Sequence, residues 1–140
     1  MDEFMKGFFS AIFFTERSMV LRKDWFDPDN QLALEEGQID GVIPADVNED
    51  DFDLNSLQFL ESFARASYRK LESLLEEVFE RGYEKDQAGI DLWFTTNGHG
   101  VGYWDRDILR ENRLGDKMTE LVRNHPIDLY YSEDGKIYTS

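Results

Sequence analysis

Cysteine is absent from the 140-residue chain. That excludes disulfides, thiolate nucleophiles and every cysteine-based zinc site. Long hydrophobic runs are absent too. The one apolar stretch, residues 7–14, is far short of the roughly 20 residues that cross a bilayer. Asp2, Glu3 and Lys6 in front of it do not form a basic leader, and no small-residue cleavage site follows. A signal peptide is therefore not expected, and the chain reads as cytoplasmic with no membrane role. Proline occurs three times, so the chain carries few forced breaks.

Positive charge is missing from one stretch. Residues 24–53 contain Asp24, Asp27, Asp29, Glu35, Glu36, Asp40, Asp46, Glu49, Asp50, Asp51 and Asp53 with no Lys or Arg. Residues 1–23 hold three acids and four bases, and residues 54–140 sixteen acids and eleven bases, so most of the net charge of −15 lies in about a fifth of the chain. Phosphate repulsion disfavours direct nucleic-acid binding through such a surface. Attraction to a basic partner surface is the converse.

An apolar share of 41% and an aromatic share of 14% indicate a folded domain, since disordered chains are poor in aromatics. One domain over 1–140 is expected from the length. Phe4, Phe8, Ala11 and Ile12 recur at helical spacing, while Phe9, Phe13 and Phe14 make the same segment apolar nearly all round. This predicts a helix over about 2–14, buried on more than one side. Residues 24–53 contain Pro28, Gly37, Gly41 and Pro44 without sustained periodicity, which predicts an irregular segment with a helical turn around Gln31–Glu36.

Leu57, Leu60, Ala64, Ser67/Tyr68, Leu71, Leu74/Leu75 and Val78 trace a stripe of period 3.6, predicting a helix over 55–81. Asn55 and Gln58 have the spacing of a capping box, and Gly82 is a suitable stop. The period then changes to two. Ile90, Leu92 and Phe94 alternate with Asp91, Trp93 and Thr95 before Asn97-Gly98, and Val101, Tyr103 and Trp104 follow. This predicts a hairpin with Leu92 facing Tyr103 and Trp93 facing Gly102. A short helix capped by Asp116 and ended by Pro126 comes next. A second hairpin is predicted around Asp134-Gly135, with Ile127, Leu129 and Tyr131 on one side and Ile137 and Tyr138 on the other. The expected fold is α+β: N-terminal helices packed on a small antiparallel sheet made of two C-terminal hairpins joined by a short helix.

The runs DQAGIDLWFTTNGHGVGYWDRD, LGDKMTELV and IDLYYSEDGKIY resemble an uncharacterised family of small acidic proteins encoded by bacteriophages and other mobile elements. The resemblance covers about residues 86–138. It rests on a Phe-Trp pair before the Asn-Gly-His-Gly turn and on Asp-Gly-Lys-Ile-Tyr near the end. Thr96 departs from it, standing where an arginine usually precedes Asn-Gly. The resemblance implies a mobile-element protein acting in a bacterial cytoplasm. It implies no activity.

The chemical motifs are weak. Gly98, Gly100 and Gly102 follow an expected strand, yet a phosphate-binding loop needs a helix N-terminus next. Turn chemistry, with flat space for Trp93 over a glycine, explains them better. His99 lies near Asp105 and Asp107 in sequence, but no placed nucleophile completes a triad. His125 suits a helix end. Asp46, Asn48 and Asp50 match the spacing of a calcium loop, but Asp51 stands where that loop needs Gly and Leu57 where it needs Glu. No metal, cofactor or catalytic residue is assigned.

The leading expectation is a non-catalytic acidic interaction protein. The 24–53 carboxylates, together with Glu72, Glu76 and Glu80 (and Glu61) on the long helix, would engage a basic surface on a host protein. A nucleic-acid-processing or defence enzyme fits, met in the manner of a DNA mimic acting against restriction or CRISPR systems. The alternative is a small-ligand module or modest enzyme centred on Trp93, Asn97, His99, Trp104 and Asp105. An interaction through the aromatic hairpin face, independent of charge, is the third reading.

Overall fold

The computed structural model describes residues 2–98, 101–122 and 126–140. They form five α-helices and one two-stranded antiparallel sheet, with short 3-10 turns between them. The fold is α+β, with helix dominant. The chain divides into two compact units: Met1–Ala11 with Leu60–Ile127, and Ile12–Phe59 with Asp128–Ser140.

In the first unit, helix α1 (Asp2–Glu16) contributes Phe4, Phe8 and Phe9, all buried. Helix α3 (Leu54–Phe79) contributes Leu60, Ala64, Leu71, Leu75 and Val78, none of them with measurable exposure. These are the stripe positions of the sequence. The helix stops where expected: Gly82 takes φ +102° and the Tyr83 N–H reaches back to the Val78 carbonyl. Edge-to-face contacts of Phe4 with Tyr68 (5.0 Å) and of Phe8 with Trp93 (5.8 Å) fill the interior.

The first expected hairpin is not formed. Residues Lys85–Asn97 are helix α4. The alternation of Ile90, Leu92 and Phe94 misleads because α4 buries Ala88, Gly89, Asp91, Leu92, Trp93 and Thr96. A helix covered on several sides shows no polar stripe, and its apolar positions can then mimic period two. Asn97-Gly98 is the helix end. Gly98 sits at φ 65°, ψ 37° and donates its N–H to the Phe94 carbonyl. A tight hairpin turn and a helix C-terminus both need a residue tolerant of positive φ, so the dipeptide alone does not separate them.

Helices α1 and α4 meet backbone to backbone. A Cβ on Gly89 would stand 1.9 Å from the Phe4 carbonyl oxygen, and one on Gly7 2.0 Å from that of Asp86. Only hydrogen fits at either position.

The expected return strand is also absent. Tyr103–Asp105, Asp107–Leu109 and Glu111–Arg113 are 3-10 turns. Trp104, not Trp93, lies over Gly102, where a Cβ would meet its ring at 2.4 Å. Helix α5 (Leu114–Val122) starts two residues before the expected cap, so Asp116 lies in its first turn. Asn112 and Arg113, both at φ 57°, precede it.

The second unit holds the sheet. Strands β1 (Leu129–Tyr131) and β2 (Ile137–Thr139) pair antiparallel with Tyr130 opposite Tyr138. The turn is the one the sequence indicates, with Gly135 at φ +82° and the Ser132 N–H donating to the Lys136 carbonyl. The expected sheet of two hairpins is thus a single hairpin. The acidic segment is more ordered than expected: helix α2 (Pro28–Glu35) replaces the helical turn, and Glu49–Asp51 is a 3-10 turn.

Candidate partner-binding surface

The acidic residues of 24–53 divide by task. Asp27 caps α2, its carboxylate accepting the Asp29 N–H at 2.9 Å. Asp53 caps α3 by accepting the Ser56 N–H at 3.1 Å. This replaces the Asn55–Gln58 box, since Asn55 already lies inside the helix. Asp51 accepts the Asn48 N–H at 2.8 Å in a reciprocal capping box.

Arg22 gathers two more carboxylates into one knot. It lies 3.0 Å from Asp51, and Asp46 takes its backbone N–H at 2.8 Å. Burial opposes ionisation of Asp46, but its hydrogen bonds and the Arg22 charge together outweigh that and hold its carboxyl below the ordinary 3.8. The calcium-like spacing is spent otherwise: Asp46 faces Arg22, and the Asn48 side chain accepts the Asp50 N–H at 2.9 Å. Among the described residues, no group of three or more His, Asp or Glu is arranged to hold a metal ion.

Seven carboxylates remain on the surface: Asp24, Asp29, Glu35, Glu36, Asp40, Glu49 and Asp50 are exposed and form no ion pair among the described residues. The second unit as a whole carries fifteen acids and four bases, a net −11 of the chain's −15. Two of those four bases are occupied inside the unit. Arg22 holds Asp46 and Asp51, while Arg17 donates from Nε to the Val47 carbonyl at 3.1 Å and lies 4.5 Å from the Phe13 ring centre. Unit charge is therefore poorly neutralised from within.

Glu72, Glu76 and Glu80 belong to the first unit. All three are exposed: Glu72 and Glu76 on α3, where four residues advance the helix by about 6 Å, and Glu80 in the turn just past its end, Phe79. The Glu61 carboxylate is 3.3 Å from Arg65.

The alternative ligand site disperses. Trp93 has no exposure. Asn97 is occupied at both ends of its amide, donating to the Trp93 carbonyl at 3.2 Å and accepting the Ile127 N–H at 2.8 Å. Trp104 is 37% exposed and Asp105 is exposed. His99, Gly100 and His125 lie outside the described residues.

The strongest polar cluster escaped the sequence reading. Asp91 is fully buried and accepts hydrogen bonds from Tyr83 at 2.6 Å, from Gln87 at 2.9 Å and from Arg106, whose terminal nitrogen lies at 2.6 Å. Burial, then the neighbouring Tyr103 and Asp91, push the Tyr83 hydroxyl far above its ordinary 10.0. Burial and Asp91 do the same to Tyr103, whose hydroxyl donates to the Ala88 carbonyl at 2.7 Å. The hydrogen bonds Arg106 donates to Asp91 raise its own pKa further. Both carboxylate oxygens are matched by donors, so the cluster ties α4 to the Arg106 segment. Its one sequence signal is the i, i+4 spacing of Gln87 and Asp91.

Compared with protein-family models, with curated proteins and with solved structures, the chain matches none.

Proposed function

We propose that this protein is a non-catalytic interaction protein whose second unit presents carboxylates to a basic surface on a partner protein. The observation that carries the reading is the net charge of −11 in that unit, with seven exposed carboxylates that form no ion pair among the described residues. Complementary charge raises encounter rates and selects partners more than it adds affinity. A groove that binds nucleic acid in a bacterial host enzyme of restriction, CRISPR or recombination has the matching character. Carboxylates would stand there where phosphates otherwise do. Four of the eleven acidic positions (Asp27, Asp46, Asp51 and Asp53) are committed to caps and to Arg22, so the surface that meets the partner is the remaining seven.

The test is capture from bacterial lysate on immobilised protein at about 50 mM and about 500 mM salt, spanning Debye lengths from longer than 10 Å to a few ångström. A sevenfold variant (D24N, D29N, E35Q, E36Q, D40N, E49Q and D50N) runs alongside. Partners are expected to be retained at low salt, lost at high salt, and captured only by the unsubstituted chain. If the neutralised variant captures the same proteins with the same salt profile, the carboxylates are not the contact.

A further inference from the structure

The second unit is unusual in a second respect. Among the described residues, nine of the eleven large apolar side chains that stand most exposed belong to it, the other two being Trp104 and Leu121. Met19, at 95% exposure, is the extreme. Exposed apolar groups scattered singly need no explanation, whereas apolar surface gathered into one place marks a contact site.

Met19 stands on a built feature. After α1 the chain runs extended alongside residues 42–45. The Ser18 N–H donates to the Ile43 carbonyl at 2.8 Å, the Val42 N–H to Glu16 at 2.8 Å, and the Ala45 N–H to Val20 at 2.8 Å. Helix α2 ends in a Schellman turn, with Gly37 at φ +73° and the Gln38 N–H bonded to the Ala33 carbonyl at 2.8 Å, which delivers Gln38–Asp40 to the same place. Gly41 makes the close pass possible. It adopts φ +94°, and a Cβ on it would stand 2.6 Å from the Ser18 nitrogen. Between the two segments lies a groove of about 410 Å³, lined by Arg17, Ser18, Met19, Val20, Gln38, Ile39 and Asp40.

The groove is lined by one base, Arg17, and one acid, Asp40, but the unit around it carries a net −11. Arg17, though exposed, is held by the Val47 carbonyl and the Phe13 ring, while Asp40 has no ion pair among the described residues. We infer that the Met19–Ile39–Asp40 groove receives an apolar side chain flanked by Lys or Arg, supplied by a segment of the partner protein. The apolar anchor fills the space beside Met19, Val20 and Ile39, and the flanking cation meets Asp40. A second copy of this chain is a poor occupant, because two units of net −11 repel. The inference rests on the interaction reading above and narrows it: the carboxylates steer the partner, and the groove fixes where it seats.

Two synthetic peptides of equal length and equal positive charge test it, one built of lysine and leucine, the other of lysine and glycine. They are titrated into isotopically labelled protein at low salt, with amide shifts followed residue by residue. The lysine–leucine peptide is expected to bind at least about tenfold more tightly and to shift Met19, Val20, Ile39 and Asp40. Met19→Glu separates the mechanisms: added negative charge strengthens a purely electrostatic contact, whereas loss of the apolar wall weakens a seated one by about tenfold. Met19 is so exposed that the substitution leaves the fold in place, checked by circular dichroism.

If both peptides bind alike and Met19→Glu strengthens binding, the groove proposal is overturned and the acidic-surface reading survives. If neither peptide binds at low salt, both fail. Sedimentation of the free protein as a dimer that Met19→Glu dissolves would seat a second copy in the groove and overturn the proposal as well.

Discussion

Asp91 has no solvent exposure, yet it is fully hydrogen-bonded by Tyr83, Gln87 and Arg106. Removing one partner of a buried pair costs more than the pair contributes, because the other is left uncompensated. The cluster has a consequence for pH. In the unfolded chain a tyrosine ionises near 10, while burial holds Tyr83 and Tyr103 protonated in the native protein well beyond that. Above pH 10 the unfolded state has therefore lost protons that the native state keeps, so stability is intact below that pH and falls as pH rises through and past it. Tyr138 differs: its hydrogen bond to Asp134 carries it up to about 12, but it is only half-buried. Ultraviolet titration of the six tyrosines should show Tyr83 and Tyr103 ionising only with alkaline unfolding. Tyr83→Phe should make the alkaline loss of stability shallower. All six titrating together near 10 in a still-folded chain would contradict this.

At the scale of elements, the α1–α4 crossing decides what α4 can be. Glycine inside a helix costs about 1 kcal/mol against alanine, so on propensity alone Gly89→Ala should stabilise. The Cβ would, however, stand 1.9 Å from a backbone carbonyl oxygen of α1, and backbone does not swing aside as a side chain does. Overpacking costs about 1–3 kcal/mol and a clash with backbone belongs in the upper part of that range, about 2–3, so after the propensity gain of about 1 kcal/mol a net loss near 1–2 kcal/mol is expected in urea unfolding. An unchanged or raised midpoint would mean that the helices separate freely. Legibility follows the same physics. Helix α3 and the C-terminal hairpin were readable because each buries one side and wets the other, leaving a clean period. Helix α4 was not, because neighbours cover several of its faces and its buried polar residue, Asp91, sat where an outward strand position was expected.

For the whole molecule the governing quantity is the net charge of −15. Like charges at this density oppose compaction, and salt screens them over a Debye length of about 10 Å at 0.1 M. The thermal midpoint is therefore expected to rise by about 3 °C between ~10 mM and ~150 mM sodium chloride, corresponding to about 1 kcal/mol. The sevenfold neutralised variant should start higher and respond less. A midpoint that falls with salt would indicate that attractive pairs, such as Arg22 with Asp46 and Asp51, outweigh the repulsion. That outcome would be surprising for pairs as exposed as these, which contribute little individually.

By itself the sequence determined the quantities that are local or additive: the concentration of carboxylates in residues 24–53, the long helix and its glycine stop, the Asp134-Gly135 turn, and the lack of any cysteine chemistry. Only the tertiary structure decided which carboxylates are caps, which are tied to Arg22 and which remain on the surface. It also decided that Asn97-Gly98 ends a helix, that Asp91 is internal and that Met19 borders a groove. The reason is that charge count and periodicity belong to neighbours along the chain. Pairing, burial and backbone approach depend on residues tens of positions away, such as Gly41 against Ser18 or Gly89 against Phe4.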